Sequence, residues 1–184
     1  MKQKKLLLDV GCGEGLTCIK FAKENWEVIG VEKNSKIFEL AKINVKGSKE
    51  KKNISLIKGD VRKIKLNKKF DGVLFNYVLM FMPKKDALSL VEKFYQKLNR
   101  GGELLVRILM FDDPMASEAK NKKEIFYPSY EEMKEFKKNY KSKLEFKLLR
   151  DDAHGNCGHP HIHSVGFLKI IKRSEDKPIK ATRN

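Results

Sequence analysis

The stretch LLLDVGCGEGLTCIKFA, residues 6–22, decides the fold. Three leucines lead into Asp9 and Val10, the chain breaks at Gly11, Gly13 and Gly15, and a helical pattern begins directly behind them. Three glycines in five residues remove side chains where something must approach the main chain. A helix opening just after them offers unpaired N–H groups and the positive end of its dipole. A buried strand, a glycine turn and a helix in that order point to a nucleotide-like cofactor held against the backbone.

Outward from this turn, short apolar runs keep alternating with helical periods, which argues for parallel α/β architecture. Strands are expected at 5–10, 27–32, 54–60, from 70 onward, 103–111, 143–151 and 163–173. Helices are expected at 16–24, 35–46, 84–99 and from Ser129 to about Tyr140. In the helix at 35–46, Ile37, Leu40, Ala41 and Val45 form the apolar stripe. In the helix at 84–99, Leu88, Val91, Phe94, Tyr95 and Leu98 turn inward, and Gly101–Gly102 marks its end. The 184 residues fit one domain over 1–174 with a loose tail at 175–184.

Composition narrows the classes. No run of about 18 apolar residues exists to span a bilayer. The start, MKQKKLLLDVGCGEG, has a basic and apolar opening, but Asp9 interrupts it and no small-residue cleavage site follows. Three cysteines (Cys12, Cys18, Cys157) with no CxxC pair suit a reducing compartment, so a cytoplasmic location is expected. The net charge of +16 raises nucleic acid as a partner. Only 6 of the 40 basic residues are arginine, the usual reader of base edges, and the lysines spread over the whole chain as a solvated surface would.

The cofactor can be chosen by spacing. A dinucleotide turn reads G-x-G-x-x-G, but here the third glycine comes one place early and Leu16 follows it. A P-loop is excluded by the missing GKS or GKT. Glu32, at the end of the second strand, is an acid placed to accept ribose hydroxyls. The stretches LLLDVGCGEG, VIGVE, LIKGDV, FDGVLFNYVLMF and LNRGGELLV occur in this order, each at an element end. Together they resemble the class I S-adenosylmethionine-dependent methyltransferase family over roughly residues 5–111.

The resemblance implies a Rossmann-like seven-stranded sheet of order 3-2-1-4-5-7-6, strand 7 antiparallel, with helices on both faces. It implies S-adenosyl-L-methionine as cofactor. Asp9 and the Gly11–Cys12–Gly13 backbone would hold its methionine part, and Glu32, with Lys33 beside it, its ribose. Asp60 would accept from the adenine amino group next to the Val61 N–H, and Asn76 would lie near the methyl group. Carboxylates suit a cofactor that carries an ammonium and a sulfonium. Each residue also has a plain structural reading: Asp9 can cap the glycine turn, and Asp60 and Asn76 can be turn formers.

The methyl acceptor is expected to be a small molecule. Family members that methylate bases carry an N/D-P-P-Y/F stretch, where this chain has Asn76-Tyr77-Val78-Leu79. NYVLMFMP is instead similar to the small-molecule branch, with a faint likeness to tellurite-resistance methyltransferases. The lysine clusters at 46–52, 62–69 and 134–143 precede strands, so they fall at the rim opposite the cofactor. RNA or protein methylation, and a non-catalytic cofactor-binding or scaffold role, stand as alternatives. All four histidines and Cys157 gather in DDAHGNCGHPHIHS, 151–164. His159, His161 and His163 alternate, so in an extended chain they share a face. A polar loop, a general base or substrate contact, and a metal site are the three readings of this segment; its spacing matches no standard zinc pattern, so no metal ligand is assigned. Tyr77, His161 and His163 are the candidate catalytic residues. Only five residues precede the first strand, so cover for the pocket is expected from segment 112–140, the His-rich loop or a second copy in a homodimer.

Overall fold

The computed structural model describes residues 4–118, 125–138, 140, 142–151 and 161–173. Its elements are β1 (Leu6–Val10), α1 (Leu16–Lys23), β2 (Glu27–Glu32), α2 (Ser35–Gly47), β3 (Ile54–Lys58), β4 (Phe70–Asn76), α3 (Lys84–Gln96), β5 (Leu98–Leu109), α4 (Pro114–Glu118), α5 (Tyr130–Lys138), β6 (Ser142–Asp151) and β7 (His161–Ile171). Single 3₁₀ turns at Lys51–Asn53 and Leu79–Phe81 lead into β3 and α3. The seven strands form one sheet in the order β3-β2-β1-β4-β5-β7-β6, with β7 antiparallel to both neighbours.

Consecutive residues of β1 divide the core. Leu8 and Val10 join Phe75, Phe94, Val106 and Met110 on the face under α3 and α5. Leu7 joins Cys18, Ala22, Val28 and Leu74 on the face under α1. A strand buried on both faces reads as an unbroken apolar run, which is why LLLDV shows no alternation. The edge strand β6 is less buried: Phe146, Lys147, Leu148 and Arg150 are exposed.

Four features depart from the sequence reading. Phe38 takes the inward position on α2, with Ala41 and Val45, while Leu40 is 45% exposed. The Asn34 side chain caps this helix by accepting from the N–H groups of Lys36 and Ile37, which sets its rotation. Gly101–Gly102 does not stop α3, which ends at Gln96 and passes through Lys97 straight into β5. Those glycines form a bulge: Phe70 faces Leu98 but Gly72 faces Glu103. Gly101 has φ +74, and a Cβ on Gly102 would lie 2.9 Å from Asn99 O. The connection after β5 holds the extra short helix α4. β7 begins at His161, so His161 and His163 belong to a strand, paired with Asp151 and Leu149. The rest of the His-rich segment, 152–160, and the tail lie outside the described residues.

Candidate active site

The parallel strands end along one rim, where a cleft of about 390 Å³ opens. Of the residues singled out by sequence, Gly11, Glu32, Lys33, Asp60, Val61 and Tyr77 line it together. Ile37, Arg62, Val78, Phe81 and Met82 complete the wall. Asp9, Cys12, Gly13 and Asn76 are not on that wall.

The glycine turn is built for close approach. Gly11, Gly13 and Gly15 all have positive φ. A Cβ on Gly11 would sit 2.6 Å from Val78 Cγ2, so the turn and the segment after β4 touch only because residue 11 is glycine. At Gly13 a Cβ would meet nothing within 4 Å, which leaves open space beside the backbone. The Gly11 and Cys12 N–H groups both donate to Val31 O, at 2.8 and 3.0 Å. The turn therefore offers a ligand proximity at Gly13, and those two donors are already used.

Glu32 ties the turn to the second strand. Its Oε2 accepts from the Gly13 N–H at 3.2 Å and its Oε1 from the Asn34 N–H at 2.8 Å. Each oxygen keeps a lone pair for a ribose hydroxyl. Asp9 is 1% exposed on the α1 face, where the Cys18 thiol donates to Oδ2 at 3.4 Å. Burial pushes its carboxyl up to about 6, and the nearby Glu32 charge adds to the rise. Cys12 and Cys18 are free thiols; their mutual hydrogen bond and then burial push the Cys18 thiol far up, which makes it inert.

At the other end of the cleft, Asp60 does not stand alone. Arg62 Nε lies 3.0 Å from both carboxylate oxygens and Nη2 2.6 Å from Oδ2, while Nη1 reaches Asp86 Oδ2 on α3 at 2.7 Å. This guanidinium holds the Asp60 carboxyl down at about 2. The sequence reading missed Arg62; an arginine two residues after the acid, with Asp86 24 residues on, carried no motif. Tyr77 has φ 55, a conformation side chains adopt at a cost, and its N–H donates to Arg107 O at 2.9 Å.

Beyond the cleft, His163 meets a buried carboxylate. Asp113 is 1% exposed; its Oδ2 lies 2.9 Å from His163 Nδ1 and accepts from the Ser164 N–H, and its Oδ1 accepts from the Met115 N–H. Asp113 was not singled out from the sequence, because fifty residues separate it from its histidine. Of His161, only the backbone pairing with Asp151 is described. Among the described residues no three His, Cys, Asp or Glu side chains gather as metal ligands, and no helix is long and apolar enough to cross a membrane.

Comparisons with known proteins agree with the fold. The family model described as "Methyltransferase domain" matches residues 7–102. Carboxy-S-adenosyl-L-methionine synthase from Histophilus somni is 28% identical over 105 residues, 55% of this chain and 43% of that protein. The protein of the same name from Vibrio campbellii is 24% identical over 123 residues, 64% of this chain and 50% of that protein. The chain thus spans about half the length of these curated relatives. TehB from Haemophilus influenzae superposes with a TM-score of 0.72 at 19% identity, covering 94% of this chain and 59% of that one. Magnesium protoporphyrin IX methyltransferase from Synechocystis, solved with S-adenosylhomocysteine and with S-adenosylmethionine bound, gives TM-scores of 0.64 and 0.62 at 14% identity, each covering 92% of this chain and 70–74% of that one. At such identities these structures speak for the fold. With the family model covering more than half of the chain, the protein belongs to the methyltransferase domain family.

Proposed function

We propose that this enzyme transfers the methyl group of S-adenosylmethionine to a small molecule, with the cofactor's adenosine in the Gly11–Glu32–Asp60–Tyr77 cleft. S-adenosylmethionine supplies an electrophilic methyl carbon on a positively charged sulfur. In an in-line transfer the S–C bond breaks with its electron pair left on sulfur, the acceptor atom bonds to the carbon, and the acceptor's proton goes to a base.

The chain's own residues divide this work. Glu32 accepts from the ribose hydroxyls while it keeps the Gly13 turn in place. Asp60, oriented by Arg62, accepts from the adenine amino group, with the Val61 N–H beside it. Lys33 flanks the ribose, and Tyr77 closes the reactive end. His163, held through Nδ1 by Asp113, serves as the proton acceptor. Free buried thiols at Cys12 and Cys18 suit a cytoplasmic location.

One observation favours a small acceptor over a polyanion. The lysine-rich stretch 46–52 ends at the 3₁₀ turn before β3, and beyond Arg62, which itself lines the cleft, residues 63–69 run back toward the start of β4. Those are the strand ends opposite the cleft, whose own charged groups, Glu32 and Asp60 against Lys33 and Arg62, balance. The test is transfer from methyl-labelled S-adenosylmethionine, supplied separately with a deproteinised metabolite extract and with total RNA. Label in the metabolite fraction, with a mass increase of one methyl on the acceptor, is the expected result. Label in RNA overturns the reading, as does a mass change on the cofactor itself.

A further inference from the structure

The two sides of the sheet are finished differently. On the side of α3 and α5, β5 and β7 present Leu104, Val106, Ile108, Leu168 and Ile170, all buried. On the other side, α1 and α2 pack on β1, β2 and β3. Beyond those helices, β5 and β7 present Leu105, Arg107, Phe167 and Lys169, and none of the four is buried. Pairing fixes the side: across the antiparallel ladder Arg107 faces Phe167 and Leu105 faces Lys169. β6 continues this surface, with Glu145 opposite Phe167, Lys143 opposite Lys169, and Lys147 two residues along from Glu145.

Aromatic rings and cations interleave on this open face. Arg107 lies 5.4 Å and Lys147 Nζ 5.2 Å from the centre of the Phe167 ring. At the strand starts, Phe21 and Trp26 meet edge to face at 5.8 Å, and Lys5 Nζ lies 5.3 Å from the Trp26 ring. These two rings, with Lys5 and Arg100, line a cavity of about 280 Å³, room enough for a nucleobase. The cations of the face are Lys5, Arg100, Arg107, Lys143, Lys147 and Lys169; its carboxylates are Asp71, Glu103 and Glu145. Asp71 is used inside the fold, where it accepts from the Leu6 N–H and the Asn99 amide, both at 2.8 Å. A merely solvated face has no use for three aromatic rings, and an apolar docking face has no use for the surplus of cations. The large apolar side chains that stand exposed among the described residues, such as Phe81, Ile43 and Leu148, all lie elsewhere, so the face lacks what a bilayer would take up.

We propose that this open face of β4, β5, β7 and β6 binds single-stranded RNA, with one base in the Trp26 cavity. Unpaired bases bring flat apolar rings to Trp26 and Phe167, and the phosphates between them bring anions to Lys5, Arg100, Arg107 and Lys147. A duplex keeps its bases stacked on one another and cannot offer them to the rings. Glu103 in the cavity wall repels a phosphate but accepts from a 2′-hydroxyl, which DNA lacks. The cavity sits at the starts of the parallel strands and the methyl-transfer cleft at their ends. The RNA is therefore a bound partner rather than the methyl acceptor, and its binding is independent of the acceptor proposed above.

Trp26 is the single tryptophan of the chain, so its fluorescence reports on the cavity directly. The probe is a short oligouridylate titrated into the native chain, and saturable quenching is expected. Raising the salt from about 50 to about 200 mM should weaken binding about fiftyfold, as for roughly four phosphates of a single strand held by cations. Lys5→Glu/Arg100→Glu should weaken binding of a fluorescein-labelled oligouridylate by at least about tenfold, with its circular dichroism unchanged. Trp26→Leu should also weaken it about tenfold, as one stacking partner is lost. No quenching in the native chain, or equal binding of the labelled oligomer by the native and charge-reversed chains, overturns the inference. Oligothymidylate of the same length binding as tightly overturns the choice of RNA, and a response to anionic phospholipid vesicles alone makes the partner a membrane and overturns it too.

Discussion

Asp9 is the residue where fold and function pull in opposite directions. Folding buries its carboxyl and raises it from 3.8 to about 6. The stability that the neutral form provides is fully present below about 3.8 and is lost as the pH rises through about 6. At pH 7.5, Asp9→Asn is therefore expected to be more stable than the native chain, by about 2–3 kcal/mol. Near pH 4 the two should melt together, which thermal unfolding at both pH values checks. Cofactor affinity should run the other way. An ionised Asp9 favours the ammonium, so native affinity rises between pH 5 and 7 and stays flat in Asp9→Asn. Gly11 gives a second residue-scale test. Gly11→Ala brings a Cβ to 2.6 Å from Val78 and holds alanine at φ +69. A loss of at least about 2 kcal/mol is expected from strain and overpacking together. Adding Val78→Ala should recover only part of it, since the φ strain remains. Glu32 and Asp60 were legible because each follows a β-run and the chemistry of the site wants an acid at a strand end. Arg62 and Asp113 were not, since their partners are chosen by folding rather than by spacing.

At the scale of elements, Asp113 joins three pieces. Its carboxylate takes the Met115 N–H at the start of α4, the Ser164 N–H in β7 and His163 Nδ1. His163→Ala is expected to lower kcat by about a hundredfold with cofactor affinity unchanged. Asp113→Asn should lower kcat as well, because the orientation of the imidazole is no longer fixed. Asp113→Ala should in addition cost about 1–3 kcal/mol, as two buried N–H groups lose their acceptor. An unchanged kcat in His163→Ala would remove the histidine from the chemistry. The elements that periodicity located well are those with long apolar faces, such as α3 with Leu90, Val91 and Phe94 buried. It failed where another force sets the phase. An asparagine cap rotates α2 so that Phe38 replaces Leu40 in the core, and a bulge absorbs Gly101–Gly102 that looked like a helix stop. Five-residue α4 is too short to show a period at all.

For the whole molecule, the strand order followed from a series of motifs rather than from any one glycine turn, and the sheet matches it strand for strand. What the sequence left open is how the rim is divided. β4 ends at Asn76 and the chain turns at Tyr77, φ 55, so these neighbours line two different cavities.

The most direct test of the account is a calorimetric titration of S-adenosylhomocysteine, the product form of the cofactor, into the native chain and into Glu32→Ala. One site per chain is expected in the native protein, with Glu32→Ala losing about a hundredfold or more in affinity, since two ribose hydroxyls lose a charged acceptor and the Gly13 turn loses its tie. Binding that is equally tight in both proteins, or absent from the native chain, would contradict the placement of the cofactor in this cleft.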